Sequence, residues 1–367
     1  MAKRKVYNPN SYNALDAAIA FLILLTVFFV IRQTLSPVFR GIRDNDYYLY
    51  LCIDAFITQG ISIGVAFAFS KIRNVSLFSG GGFVYKFDLV QILFAVMLTF
   101  GIYLLIGDAH MKFDDDLYHL FYDMGLNEST QASISQENVN VPLALLYIYL
   151  LSPILPCIFE EVYFRGIVMR GLRQYGALFS IIVSAFCFAL MHGSFSQLIL
   201  QFVFGLAVAA VVTLTGNFLL GAAMHFANNL FVYLFNLIVL NMDLNFHMGA
   251  EFTEAMQVIF GVVCLVVSGA YFINLAIVKA KRSALKKPEE IPIKEAGYYA
   301  KVKAKSETVW QVLYPAQVDF NLISNGEHLY EYDGKEVKVN KKSNKILSVT
   351  LLLAAITFSV IRLLLNI

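Results

Sequence analysis

Three short constellations in this chain carry residues that do chemistry. Glu160, Glu161 and Arg165 lie in one apolar stretch, Cys157-Ile-Phe-Glu160-Glu161-Val-Tyr-Phe-Arg165-Gly-Ile-Val. Phe188 and His192 follow at a four-residue spacing, and so do His225 and Asn229. Residues i and i+4 of a helix are neighbours on its surface, and Glu161 ahead of Arg165 is the favourable order for an ion pair. Such a pair neutralises itself and reads first as structure. Glu160 has no partner on its own helix, and a carboxylate in that setting suits a general acid or base. His225 and Asn229 point from one helix face into a shared space. Pro153 and Pro156 precede the glutamates. Pro156 has no N–H for the Ser152 carbonyl, so the helix should kink or open just before Glu160 and admit water, the missing reactant of a hydrolysis.

Each feature alone has a plainer account. A single histidine inside a membrane is more often a hydrogen-bond partner between helices than a catalyst, and one Glu–Arg pair is usually structural. Three separate segments contributing Glu, His and Asn are harder to dismiss together. Ionisable groups in lipid are costly and mark function by default. The residues leave hydrolysis and transport both open.

The elements that must position these groups are membrane helices. The chain has 367 residues, 58% hydrophobic and 15% charged, with a mean hydropathy of +0.65. A soluble domain carries about a quarter charged residues. The apolar residues fall in long runs, and a run of about 18 or more reads as a spanning helix. The expected fold is an all-α polytopic membrane protein. Nine spans are expected, at 14–35, 48–70, 89–107, 143–169, 177–192, 195–214, 218–239, 256–278 and 346–366. Asp16 and Asp54 fall in spans one and two. Arg362 lies near the end of span nine, where a long side chain can snorkel to the interface. Cys52, Cys157, Cys187 and Cys264 sit in apolar runs without CxxC spacing, so no disulfide framework or zinc ribbon is implied.

Charge sets orientation. Lys3, Arg4 and Lys5 precede span one; Lys71, Arg73 and Lys86 follow span two; Arg165, Arg170 and Arg173 end span four. The opposite side receives 108–141, with seven acidic residues against Lys112, and 240–255, with three acids and no Lys or Arg. Arg40 and Arg43 are exceptions, partly offset by Asp44 and Asp46. The N-terminus is expected in the cytoplasm, with the first helix retained because no small-residue cleavage site follows it. Residues 279–345 carry fourteen Lys or Arg against nine Asp or Glu. They open on Lys279, Lys281, Arg282, Lys286 and Lys287, a cluster suited to anionic headgroups. Alternation around Asp333-Gly334 signals a hairpin. The expected organisation is 1–140 (three helices and an acidic external loop), 141–278 (catalytic helical core), 279–345 (basic cytoplasmic β-containing module) and 346–367 (last helix).

Taken in order, Glu160-Glu161-x-x-x-Arg165, Phe188-x-x-x-His192 and His225-x-x-x-Asn229 resemble the CPBP family. That family comprises the type 2 CAAX prenyl proteases and the bacteriocin-processing, Abi-like proteins. The resemblance covers about 143–240, and Tyr163-Phe164-Arg165-Gly166 looks like the stretch that accompanies the first motif. It implies an intramembrane endopeptidase acting on a membrane-associated peptide or protein. By that analogy Glu160 activates water with help from His192, while His225 and Asn229 stabilise the oxyanion. Glu161 and Arg165 would orient the site. The family is often labelled metalloprotease, and Glu160, His192 and His225 would be the ligands of a divalent metal such as zinc. With no HExxH helix, a metal-free glutamate mechanism is preferred.

The expected partners are membrane lipid and a peptide or membrane-anchored substrate, without nucleic acid; the expected location is the bacterial plasma membrane. The rival functions are a transporter or cation pathway, which predicts paired interrupted repeats that are not visible, and a non-catalytic scaffold.

Overall fold

The computed structural model describes residues 12–73, 77–78, 86–123, 140–242, 250–285, 299–303, 308–312, 329–332, 335–338 and 345–365. Lys3, Arg4 and Lys5, the acidic stretch past Asp123, Lys286, Lys287 and the Asp333-Gly334 turn lie outside the described residues.

The chain enters through a capping box, because its helix would otherwise leave four N–H groups without partners. Asn13 accepts from the Asp16 N–H at 3.0 Å, and Asp16 accepts in return from the Asn13 N–H at 2.9 Å. Helix α1 runs Ala14–Asn45. One residue, Asp46, separates it from α2, Tyr47–Ile72, and caps α2 through the Leu49 N–H. Arg73 just past α2 returns to Asp16 with two bonds, 2.6 and 2.9 Å. The start of α1 and the end of α2 are thereby tied together, and Asp16 is accounted for as structure. Asp54 is likewise paired, with Arg32 of α1 at 3.2 Å.

Helix α3 runs Leu89–Asp123, well past the expected end of span three. Helix α4, Val141–Leu172, is one apolar rod with two wider turns inside it: Tyr147–Leu151 and Phe164–Met169 are π-helical. Such wider turns recur at functional sites. Then come α5 (Ala177–Met191), α6 (Phe195–Thr215), α7 (Phe218–Met242) and α8 (Ala250–Leu285). Four short strands follow as two antiparallel hairpins: β1 (Tyr299–Lys303) with β2 (Thr308–Val312), and β3 (Leu329–Tyr332) with β4 (Lys335–Lys338). The last helix, α9, is Lys345–Leu365.

The membrane body is all helical. Among the described residues seven helices are long and apolar enough to cross a bilayer: α1, α2, α3 through Ile106, α4, α6, α8 and α9. Nine are not reached. Helix α5 is apolar but has 15 residues, about 22 Å of helix against a hydrocarbon core of about 30 Å. Helix α7 has the length, 25 residues, but its side chains are described only as far as Phe231.

Helix α4 sits at the centre. Its first half packs on α2 and α7, and its second wide turn packs on α1 and α5. The core there is aromatic: Phe164 meets Phe21 of α1 at 6.5 Å and Phe188 of α5 at 5.3 Å between ring centroids, both edge to face, the geometry that ring quadrupoles favour. Arg165, Arg170 and Arg173 are buried in this packing, so none of them is a free loop charge of the kind that orients a membrane protein.

Candidate active site

Glu160 and Glu161 lie in the regular stretch Ser152–Tyr163 between the two wide turns, where neighbouring residues point about 100° apart and so face different partners. Glu161 is fully buried and sits between two bases. Its Oε2 lies 3.1 Å from Arg165 Nε, one turn on, and its Oε1 accepts from His225 Nδ1 at 3.0 Å. Arg165, also fully buried, lies with its guanidinium carbon 5.3 Å from the centre of the Phe188 ring. Gly221, one turn before His225 on α7, makes room for this carboxylate: a Cβ there would stand 3.0 Å from Glu161 Oε2 and 2.8 Å from Val212 Cγ2.

Glu160 is buried too, with 6% exposure. Its Oε1 accepts from Gln59 Nε2 of α2 at 2.5 Å. Among the described residues its Oε2 has no hydrogen-bond partner, and it stands 3.8 Å from His225 Nε2. His225 is therefore flanked by both carboxylates, one bound at Nδ1 and one waiting at Nε2. Because a carboxylate oxygen only accepts, Nδ1 carries a proton, and Nε2 is the atom turned to Glu160. Aromatic rings wall the imidazole, Phe188 at 5.5 Å and Phe204 at 5.6 Å.

His192 follows the last residue of α5. Its Nδ1 donates to the Phe188 carbonyl at 2.9 Å, which leaves Nε2 without its proton and able to accept one. Its ring meets the Phe188 edge at 4.9 Å, so a single phenylalanine touches both histidines and Arg165. Helix α5 ends one residue before His192, whose half-buried ring is packed on Phe188.

Asn229 is explained by Pro156. The proline leaves the Ser152 carbonyl without its helical donor, and Asn229 Nδ2 supplies one at 3.0 Å. Asn229 Oδ1 in turn accepts from Asn228 Nδ2 at 3.2 Å. Asn229 is thus bound to α4 about two turns ahead of Glu160, and its second Nδ2 hydrogen has no partner among the described residues.

All six motif residues converge on α4. Asp54 does not join them. Gln59 does, and an inspection of ionisable groups passes it over because a neutral amide in an apolar run carries no charge. Its signal is polarity in a span, which needs a reason as a charge does. Arg362 also reaches the site's edge: it is 8% exposed and donates to the Met191 carbonyl beside His192. It does not snorkel.

The metal alternative can be tested on these atoms. Glu161 is held by Arg165 and His225. Among the described residues no three His, Cys, Asp or Glu side chains form a group that could hold an ion. The ligand set Glu160, His192 and His225 is not assembled, and no step below runs through a metal.

These features define a class: a polytopic helical membrane protein with a buried Glu–His–Asn site around one interrupted helix. Residues 142–231 match the family model described as Type II CAAX prenyl endopeptidase Rce1-like, and all six motif residues fall inside the match. The resemblance to CPBP intramembrane proteases is confirmed over this segment. No curated protein and no solved structure matches the chain.

Proposed function

We propose that the chain is an intramembrane endopeptidase hydrolysing a peptide bond of a membrane-associated peptide or protein. The observation that carries this reading is the division of labour between adjacent carboxylates. Glu161 is spent on Arg165 and on fixing His225. Glu160 is anchored through one oxygen, and the other has no bond among the described residues.

In this mechanism Glu160 Oε2 takes a proton from a water molecule as its oxygen attacks the substrate carbonyl carbon, and His192 Nε2 helps hold that water. The carbonyl π pair moves onto oxygen. His225 acts as the imidazolium, one proton on Nδ1 towards Glu161 and one on Nε2, and its Nε2–H and the second Nδ2 hydrogen of Asn229 donate to that oxyanion. Collapse breaks the C–N bond, and Glu160 returns its proton to the leaving amine. Glu161 and Arg165 hold His225 in orientation with the pair's charge balanced.

We also propose a cytoplasmic N-terminus in a bacterial plasma membrane, with the basic hairpin-bearing segment 279–345 on the same side. The Lys71, Arg73 and Lys86 cluster supports this orientation.

The test uses the purified full-length chain in lipid nanodiscs and an internally quenched farnesylated peptide ending in Cys-aliphatic-aliphatic-X. Wild type is expected to cleave it, with Glu160→Gln and His225→Ala reduced by about 100-fold or more. Cleavage that persists in both variants would sink the assignment.

A further inference from the structure

We infer that Arg362 of the last helix is a positioning residue for His192, which makes α9 a working part of the site although it lies outside the family-matched segment. The inference rests on the protease reading only where activity is concerned.

The argument starts from the carbonyl end of α5. A helix leaves its last four C=O groups without intrahelical donors, and inside a membrane each must find one. Here all four are accounted for. The Phe188 carbonyl takes His192 Nδ1 at 2.9 Å. The Ala189 carbonyl takes the His192 N–H and the Leu190 carbonyl the Gly193 N–H, both at 3.2 Å. The Met191 carbonyl, last of the set, takes Arg362 Nη2 at 3.3 Å. Three of the four bonds come from the two residues that turn the chain out of the helix, and the fourth comes from 171 residues away. A cation at this place also complements the negative end of the helix dipole.

The turn is shaped to receive the guanidinium. Gly193 has φ +65°, and a Cβ on it would overlap the Arg362 guanidinium. Glycine is required there twice, for its backbone angle and for its missing side chain. Helix α9 is held in position by α1, where Phe29 meets Phe358 edge to face at 5.6 Å, one helical turn before Arg362. Arg362 thus clamps the peptide unit that bears His192 and fixes where the imidazole's free Nε2 is presented.

Two measurements on the full-length chain in nanodiscs test this. The first needs no substrate: carbethoxylation of histidines by diethyl pyrocarbonate, followed residue by residue by mass spectrometry. In Arg362→Gln the freed helix end opens locally, and His192 should react about threefold faster or more, while His225, held by Glu161, keeps its rate. Arg362→Lys restores a cation and should recover part of the wild-type rate. Gly193→Ala, which displaces the guanidinium without removing it, should match Arg362→Gln.

The second measurement is cleavage of the farnesylated probe. Arg362→Gln should lower kcat about 10-fold to 100-fold through misplacement of His192, with KM little changed and partial recovery in Arg362→Lys. An unchanged His192 rate in both Arg362→Gln and Gly193→Ala overturns the inference. So does equal acceleration at His225, which would mean general loosening. If wild type leaves the probe intact the protease reading fails, whereas the His192 rates still decide the role of Arg362.

Discussion

The buried Glu161–Arg165 pair makes the sharpest prediction about stability. Both side chains are fully buried and stand 3.1 Å apart, so water does not screen them. Arg165→Met would leave Glu161 facing only His225 Nδ1. Breaking a buried pair from one side costs about 3–5 kcal/mol. At roughly 2–4 °C per kcal/mol for a chain of this size, the midpoint should fall by about 6–20 °C. Glu161→Leu strands the guanidinium and should cost a similar amount. The double variant removes both charges, and replacing a buried ion pair by apolar groups is often neutral or better. What it still loses is the acceptor for His225 Nδ1, worth about 1–3 kcal/mol. The double variant should therefore be at least as stable as either single one, with a coupling of about 3 kcal/mol or more between the sites. The assay is supplied by the molecule: Cys52, Cys157, Cys187 and Cys264 are free and buried, so a thiol-reactive dye reports unfolding. If the two single losses simply add in the double variant, the pair does not act as a unit and Glu161 has some other partner.

Other outcomes follow from the same contacts. Gln59→Leu leaves Glu160 Oε1 without its donor, and should cost about 1–3 kcal/mol of stability and lower kcat for the farnesylated probe more than it changes KM. Asn229→Leu strips the Ser152 carbonyl of its only named donor, at about 1–3 kcal/mol; adding Pro156→Ala, which restores an N–H in the helix, should recover much of the loss in the dye assay. Asp46 sits between α1 and α2, its carboxylate held below the ordinary range first by the Leu49 N–H and then by Asn140. A lowered folded value means that its contribution is present above the unfolded value and lost as pH falls through the folded one. The midpoint gap between wild type and Asp46→Ala should accordingly be full above pH 3.8 and close on further acidification.

The chemistry was legible in the sequence wherever it followed helical spacing. The Glu161–Arg165 pair and the shared face of His225 and Asn229 each depend on one helix at a time, and a period of 3.6 residues fixes them. At Pro156 the helix continues through Ser152–Tyr163, and the freed Ser152 carbonyl is met by Asn229. Contacts between helices were not legible. Asn229 lies 77 residues from Ser152 and Gln59 lies 101 from Glu160, and nothing in spacing says which faces meet. Arg362 shows the limit most clearly. Near a helix end a long cationic side chain reads as snorkelling, because that outcome needs no neighbour. Its burial against Met191 depends on α9 packing beside α1 and α5, a tertiary fact. The bounds of span five were legible to within one residue, 177–192 against Ala177–Met191, whereas the partners that satisfy its terminal carbonyls were not.

This distribution of contacts bears on what the matched segment does alone. Residues 142–231 contain all six motif residues, yet two fixed points come from elsewhere. Gln59 on α2 orients Glu160, and Arg362 on α9 closes the end of α5 beside His192. Without Gln59, Glu160 Oε1 loses its donor. Without Arg362, the Met191 carbonyl loses its donor inside a bundle that offers little water. A site of this kind needs its groups held to within about 0.5 Å, and rotamer freedom returned to a glutamate or an imidazole spends that tolerance quickly. In the proposed mechanism the segment shared with the family supplies the reacting groups, and the helices outside it supply their rigidity. Variation in α2 and α9 should therefore change turnover while leaving all three motifs intact.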